Sequence, residues 1–484
     1  MFALNFKFSV IALELLFLIA GIFFFLIDKF IKNKNYAFYL TFFIIILCFG
    51  FLLFTSFGDF ARAYQRDFYS ATIQLFLLIG ALLVVLISYA FLQEFKALNY
   101  GEFYALFLFS LIGSFIMVAS QDLLTLYLGM ELMSIPVYFL IASSFVYNRN
   151  SIEGSLKYFI AGAIASALII LGLALVYYSV GLLSFKEIFI QLAQGLKKRE
   201  LLLALLLILA GFSIKLSLVP FHMWAPDAYQ ASPLPVTAFL AGIVKFALIS
   251  AFIKIMMIGF SPLRIELGTF LLPISLLTIL IGSLLAIKQD NIVRMLAYSS
   301  IAHVGYASLG ILSGDYLGYG FIIFYMLVYL FTTIGVFGLL IYLSRLKREY
   351  LEIPSMAGIS KSLPLVSSLV LILFFSLAGV PPTAGFMAKF YIFITLLKGN
   401  LIWVAILSLL FSVIGAYPYL RVIKVIYMDS PPYEVERGEY AVSLFAPIIL
   451  SVLVVILWGI YPKPAVDFIQ RTLYLYMSML LFHF

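Results

Sequence analysis

The sequence predicts an all-α polytopic membrane protein with about fourteen transmembrane helices. Of its 484 residues, 65% are hydrophobic and only 11% are charged, and a water-soluble globule of this length could not bury such a composition. The mean hydropathy is +1.15. The apolar residues form long uniform runs and not the ten-residue alternation typical of an outer-membrane barrel.

Each predicted span is an apolar run of about 20 residues bounded by short polar loops. The first run is too long for the hydrophobic part of a signal peptide and lacks a small-residue cleavage site, so we interpret it as a retained span. In chain order the predicted spans are about 8–27, 37–55, 70–92, 103–118, 122–147, 157–181, 201–228, 234–257, 267–287, 292–312, 319–343, 365–392, 400–423 and 442–460.

Two of these spans are interrupted by proline, and their order of residues indicates an internal repeat. Lys215 precedes Pro220, whereas Pro381 and Pro382 precede Lys389. The order of proline and lysine is therefore reversed between the two spans. Two inverted repeats, each with one broken helix, would produce this reversal. We therefore expect a single membrane domain, 1–484, that comprises three N-terminal helices (1–102), two inverted five-helix repeats (103–257 and 267–423) and a C-terminal helix and tail (442–484).

The basic residues predict the orientation. The formal net charge is +8, but the cations are dispersed over short loops without a basic stripe, which argues against nucleic-acid binding. Odd-numbered loops carry most of them, so the positive-inside rule places both termini outside; the loop at 182–200 disagrees. The inner basic residues are Lys29, Lys32, Lys34, Lys288, Arg294, Arg345, Lys347, Arg348 and Lys361.

The sequence contains no motif that would hold a cofactor. It lacks a glycine-rich phosphate loop, a CxxC pair and any cluster of His, Cys and carboxylates at metal-ligand spacing, and its single cysteine cannot form an internal disulfide. We therefore expect no cofactor and no metal in this chain. The chemistry that remains is the movement of charge.

Four ionisable residues lie inside segments that are otherwise hydrocarbon: Glu131, Lys215, Lys245 and Lys389. Lys245 stands near the middle of an apolar run, roughly 15 Å from either interface and beyond the reach of a snorkelling side chain. Intramembrane charges are costly and usually functional. A buried lysine can exchange its proton, so several of them on successive spans predict a charge relay.

Each of these residues also has a structural interpretation. Glu131 could simply clamp a lysine, Lys157 could snorkel from the start of its span, and His222 and His303 could be satisfied core hydrogen-bonders. The phenylalanines and tyrosines are interpreted as packing surface. Four further charged residues near predicted span ends are interpreted as interfacial anchors or solvated charges: Glu14, Lys254, Lys288 and Asp315.

Five sequence segments carry a family resemblance: GMELMSIPVYFLIASS, SIEGSLKYFIAGAIASALIILGLALVYYSVG, GFSIKLSLVPFHMWAPDAYQASPLPVTAFLAGIVKFALI, KQDNIVRMLAYSSIAHVGYASLG and SLAGVPPTAGFMAKFYIF. Over roughly residues 100–425 the chain resembles the antiporter-like membrane subunits of respiratory complex I, the NADH:quinone oxidoreductase. Within that group it is most similar to the subunit N family, because of GMELMSIPVY, the EGSLKYFIAGAIASA segment and a lysine at position 389.

The resemblance implies a proton-translocating translocase subunit in a bacterial inner membrane. Glu131, Lys215, Lys245 and Lys389 would form the proton relay, with Lys157, His222 and His303 supporting the hydrated path. NADH, FMN, iron–sulfur clusters and quinone would belong to partner subunits, and the partners would be the other membrane subunits of complex I and the lipid bilayer.

Other classes remain open. Related subunits of multisubunit cation/proton antiporters and of membrane-bound hydrogenases share the PFHMW segment and the broken helices. A freestanding transporter would work when purified alone, and a purely structural subunit would tolerate replacement of the buried lysines. The sequence does not distinguish H⁺ from Na⁺, nor does it identify the quinone.

Overall fold

Long helices form almost the whole molecule. The computed structural model describes residues 7–31, 33–54, 57–94, 100–146, 148–431, 438 and 440–483; Lys32 lies outside them. The helices are α1 (Ala12–Ile27), α2 (Asn35–Phe54), α3 (Phe68–Glu94), α4 (Tyr100–Ala119), α5 (Leu123–Ala142), α6 (Asn150–Val180), α7 (Phe185–Ala193), α8 (Lys198–Lys215), α9 (Trp224–Ala231), α10 (Leu234–Phe239), α11 (Lys245–Ile258), α12 (Arg264–Ile287), α13 (Ile292–Gly310), α14 (Tyr316–Leu346), α15 (Ile359–Ser362), α16 (Pro364–Ala378), α17 (Ala384–Lys398), α18 (Ile402–Met428), α19 (Val442–Ile460) and α20 (Lys463–His483).

Most of the long helices are apolar on all sides, as expected for helices buried in protein or in lipid. In the most apolar 18-residue stretch of the segments 234–258 and 316–346, every residue is buried within the chain. In the most apolar stretch of α2 and of α18, only 28% of the residues are buried. The core is therefore centred on α11 and α14, and α2 and α18 form part of the outer surface.

The predicted all-α polytopic class is confirmed. Eleven helices among the described residues are long and apolar enough to cross a membrane. The other three predicted spans correspond to α13 and to the two interrupted pairs, α8 with α9 and α16 with α17. The total of fourteen spans and the inverted repeat stay predictions.

The two spans that contain Pro220 and the Pro381–Pro382 pair are interrupted, whereas the helices that contain Pro136, Pro273, Pro418 and Pro447 are continuous. α8 ends at Lys215, and the segment 216–223, which includes Pro220, separates it from α9. α16 ends at Ala378, and the segment 379–383, with Pro381 and Pro382, separates it from α17. Proline lacks the backbone donor that a helix needs and clashes with the preceding turn. These breaks expose unpaired helix ends within the membrane-spanning region.

A third interruption was not predicted. The span expected to be continuous over 234–257 contains a π-helical turn, Leu240–Val244, between α10 and α11. The turn ends directly before Lys245. Such π turns are rare and often lie at functional sites.

Two further elements differ from the expected loops. Residues Gly58–Phe60 and Tyr64–Arg66 form the antiparallel hairpin β1–β2. The C-terminal tail forms α20, which packs against α3 and α14. Its buried apolar residues follow helical spacing and form one stripe: Val466, Ile469, Leu473 and Tyr476.

Candidate functional site

The structure brings Glu131 of α5 and Lys215 of α8 into direct contact. The Lys215 Nζ lies 3.1 Å from the Glu131 Oε1. The Lys215 side chain is 1% exposed and that of Glu131 is 19% exposed. This is a buried ion pair, whose attraction is little screened by solvent.

Hydroxyl groups complete the surroundings of this pair. Lys215 Nζ also donates to Ser134 Oγ at 3.0 Å and lies 3.3 Å from Tyr138 Oη. On the other side, Ser166 donates to Glu131 Oε1 at 2.6 Å. Gly162 of α6 permits this close packing, because a Cβ there would lie 2.0 Å from Tyr138 Oη.

Lys245 has a different environment. Its Nζ donates to Ser217 Oγ at 3.0 Å and to Ser300 Oγ at 2.6 Å, and it lies 5.6 Å from the ring centroid of Tyr229. The residues that the structure describes place no carboxylate within ion-pair distance of it. Ser217 belongs to the break between α8 and α9, so the broken helix supplies one of the two acceptors.

His303 of α13 lies between two tyrosines. Its Nδ1 is 2.7 Å from Tyr325 Oη and its Nε2 is 3.2 Å from Tyr419 Oη. Tyr419 is also hydrogen-bonded to Ser299. An imidazole with a hydroxyl on each nitrogen can accept a proton on one side and release one on the other.

Lys389 of α17 lies at the carboxyl end of α16. Its Nζ donates to the carbonyls of Leu377 at 3.3 Å and Ala378 at 2.9 Å, and to Ser412 Oγ at 3.1 Å. The carboxyl end of a helix carries a partial negative charge. Gly379 ends α16 with φ +83°, and a Cβ there would lie 3.0 Å from the Lys389 side chain. The break therefore forms a cation site from backbone groups.

A small cavity lies between His303 and the carboxyl end of α16. Its volume is about 10 Å³, and Tyr325, Thr332, Ser376 and Leu377 are among its lining residues. That volume is about the size needed for one water molecule. The hydroxyl-bearing residues of the lining, Tyr325, Thr332 and Ser376, can bind such a water beside His303.

The Glu131–Lys215 pair, Lys245, His303 and Lys389, with the hydroxyls that contact them, form what we call the polar row. Two of the predicted supporting residues are not part of it. Lys157 is half-exposed and lies 2.6 Å from both Glu153 and Asp227. His222 is buried in the break between α8 and α9, and within the described residues neither ring nitrogen has a hydrogen-bond partner. Of the supporting histidines, only His303 belongs to the polar row.

Two sequence interpretations are wrong. Five tyrosines, at positions 138, 229, 306, 325 and 419, contribute hydroxyl or ring contacts to the polar row and are not merely packing surface. Glu14 and Lys254 are buried, at 6% and 0% exposure, and are not interfacial. The sequence does not reveal their burial because it depends on the unpredicted hairpin and on α20.

No cluster of three or more His, Cys, Asp or Glu that could hold a metal occurs in the described part of the chain.

Comparison with known proteins identifies the family. The model of the NADH:quinone oxidoreductase/Mrp antiporter transmembrane family matches residues 120–415. NADH-quinone oxidoreductase subunit N of Moorella thermoacetica is 37% identical over 84% of this chain and 85% of its own length.

Solved structures share the fold over nearly the whole chain. A chain of respiratory complex I from Thermus thermophilus with bound aureothin is 26% identical with a TM-score of 0.79, over 94% of this chain and 98% of that one. A chain of the archaeal membrane-bound sulfane sulfur reductase is also 26% identical, with a TM-score of 0.82 and coverage of 96% of both chains.

Fold and sequence together define an antiporter-like, multi-pass membrane subunit. The chain belongs to the NADH:quinone oxidoreductase/Mrp antiporter family, and within it to the subunit N relatives of complex I. The resemblance drawn from the sequence motifs is thereby confirmed.

Proposed function

We propose that this chain translocates protons as the subunit N of an NADH:quinone oxidoreductase, and that Glu131, Lys215, Lys245 and Lys389 carry the protons. The observation that supports this most directly is the row of buried lysines, each held by hydroxyls, a carboxylate or helix-end carbonyls. Groups of this kind can pass protons between neighbours, and three charges at this depth would be costly without a use.

The Glu131–Lys215 pair starts the relay. While the pair is closed, the carboxylate stabilises the ammonium. When the pair opens, an ammonium in a low-dielectric interior loses its counter-charge and releases its proton more readily. Ser217 follows Lys215 by two residues and contacts Lys245, so it is a hydroxyl through which transfer to the central lysine can proceed.

From Lys245 the proton would continue along α13. Ser300 accepts from Lys245, and His303 lies one turn further on the same face because three residues nearly complete a turn. The cavity between His303 and α16 gives space for a bridging water. Lys389, at the negative end of α16, would then receive the charge.

The driving energy has to come from outside this chain. Moving one charge against 100 mV costs about 2.3 kcal/mol. In the proposed complex, electron transfer from NADH to quinone supplies this energy, and NADH, FMN, iron–sulfur clusters and quinone are bound by partner subunits. The chain would lie in a bacterial inner membrane beside other membrane subunits, with both termini outside, as the loop charges favour.

The second candidate is a subunit of a multisubunit cation/proton antiporter or a membrane-bound hydrogenase. The family description, which names Mrp antiporters, favours keeping it. Copurification distinguishes the two: flavin and iron–sulfur subunits accompany a complex I subunit, whereas an antiporter assembly contains antiporter-like chains without them.

Replacement of Lys245 tests the proposal. In the assembled complex, Lys245→Ala should depress proton pumping and NADH:quinone activity, while reduction of artificial acceptors by the soluble arm survives. Lys245→Arg should also fail, because a guanidinium keeps its proton at any physiological pH. Lys288→Ala, at an exposed lysine, is the control. Proton translocation at the wild-type rate by the arginine variant, in sealed vesicles, would overturn the relay assignment.

A further inference from the structure

Lys254 forms a second buried charge site, away from the relay row. Its Nζ lies 3.5 Å from Asp67 Oδ2 and donates to the Val118 carbonyl at 3.2 Å. The ring centroid of Tyr476 is 5.9 Å away. Lys254 is 0% exposed and Asp67 is 7% exposed. The site therefore joins α11 to α3, α4 and α20.

Helix ends hold both charges of this pair in place. Asp67 caps the amino end of α3, since its Oδ1 accepts from the Ser70 backbone N–H at 2.6 Å, and Ser70 Oγ accepts from the Asp67 N–H at 2.9 Å. Val118 belongs to the last turn of α4. The carboxylate thus lies at a positive helix end and the ammonium at a negative one. This arrangement favours a fixed ion pair.

An apolar segment separates this pair from the relay. Lys254 follows Lys245 by nine residues on α11, which is about 14 Å along the axis and roughly the opposite face. Ser250 is the one polar residue between them, and its Oγ donates to its own helix at Phe246 O, 2.8 Å away. The Lys254 pair therefore has no hydroxyl chain along α11 to Lys245.

The two lysines are nevertheless linked mechanically. Tyr69 of α3 donates to the Ser250 carbonyl at 2.6 Å, which gives α11 a second tether to α3. At the other end of α11, the π turn 240–244 directly precedes Lys245. A change of this turn toward α-helix would rotate the segments on its two sides relative to each other.

We propose that Lys254 is a positioning residue for Lys245. With Asp67 it clamps the carboxyl-terminal half of α11 to α3 and α4, so that any rearrangement at the π turn moves α10 and leaves the Lys245 ammonium against Ser217 and Ser300. This inference rests on the proposed function, because it assigns Lys254 an effect on proton transfer through Lys245.

Four variants of the assembled complex test the clamp: Lys254→Met, Asp67→Asn, the double variant, and Lys254→Arg. Each single neutral variant leaves one buried charge unpaired, so the yield of complex should fall about tenfold or more, and the double variant should recover it. The double variant should still pump about tenfold more slowly, because displacement of a reacting group by about 1 Å costs up to 10²-fold. Its hydrogen–deuterium exchange should rise over 240–258 and not elsewhere.

Lys254→Arg keeps a permanent cation that can bind Asp67 and the Val118 carbonyl, and it should pump like wild type. A double variant with wild-type pumping and exchange, or an assembled arginine variant that does not pump, would overturn the positioning role. The Lys245 variants distinguish this failure from failure of the proposed function: if they lose pumping while the Lys254 double variant keeps it, only the clamp is refuted.

Discussion

Replacement of Glu131 by glutamine tests the first step of the proposed relay. The substitution keeps the shape and a carbonyl acceptor for Lys215 but removes the negative charge. At the observed 3.1 Å separation and an effective dielectric constant of about 20, the attraction between the two charges is about 5 kcal/mol. A hydrogen bond from the ammonium to the new amide carbonyl would return about 1.5 to 3 kcal/mol.

The net loss is therefore about 2 to 4 kcal/mol, the difference between those two values. If the closed pair is a state on the transfer path, this change alters the rate of transfer by about 30- to 1,000-fold. The assay is proton translocation and NADH:quinone activity in sealed vesicles, normalised to the amount of assembled complex.

Glu266→Gln is the matched control. Glu266 forms an ion pair with Lys198 at 2.5 Å, but the two side chains are 29% and 55% exposed, and exposed pairs contribute about 0 to 1 kcal/mol. We expect pumping close to wild type in this variant. If Glu131→Gln also pumps within about twofold of Glu266→Gln, the switching role of the buried pair is refuted.

Three further substitutions test the row at other points. Gly162→Ala should displace Tyr138 and destabilise the complex by about 1 to 3 kcal/mol, as measured by thermal inactivation, whereas Gly50→Ala, with no neighbour within 4 Å, should not; equal midpoints would contradict the packing argument. His303→Gln should assemble, since an amide can still contact both tyrosines, but should lower pumping about 10²-fold by removing the proton acceptor; unchanged pumping would exclude His303 from the path. Lys389→Met should abolish pumping in vesicles while the complex still assembles, and continued pumping would remove Lys389 from the relay.

The sequence was sufficient to predict the helical class and two of the three interruptions, because both depend on local properties. Long apolar runs indicate spans, and prolines remove backbone donors at fixed positions. The contact between Glu131 and Lys215 joins residues 84 positions apart, so local spacing could not reveal it. The π turn before Lys245 has no such local signal.

The partners of Lys245 were harder to predict. Ser300 is 55 residues away in the chain and Ser217 is 28 away, so no spacing rule connects them. One signal was present in the sequence: Ser300, His303 and Tyr306 recur every three residues and therefore share one face of α13. A stripe of polar residues on a membrane helix points to the protein interior. The burial of Lys254 had no such signal, since its neighbours Asp67, Val118 and Tyr476 lie far from it in the sequence.

The contacts of the three relay lysines explain how the proposed path could be controlled. Lys215 faces a full negative charge, Lys389 faces the partial charge of about one half at a helix end, and Lys245 faces two hydroxyls and the Tyr229 ring. Hydroxyl dipoles stabilise an ammonium less than a carboxylate does. Of the three lysines, the middle one therefore has neither a carboxylate nor a helix end beside it, and in the proposed path its loading and unloading depend on the groups at the two ends. In the proposed relay, opening of the Glu131–Lys215 pair would control delivery to Lys245, and the carboxyl end of α16 would then favour onward transfer to Lys389.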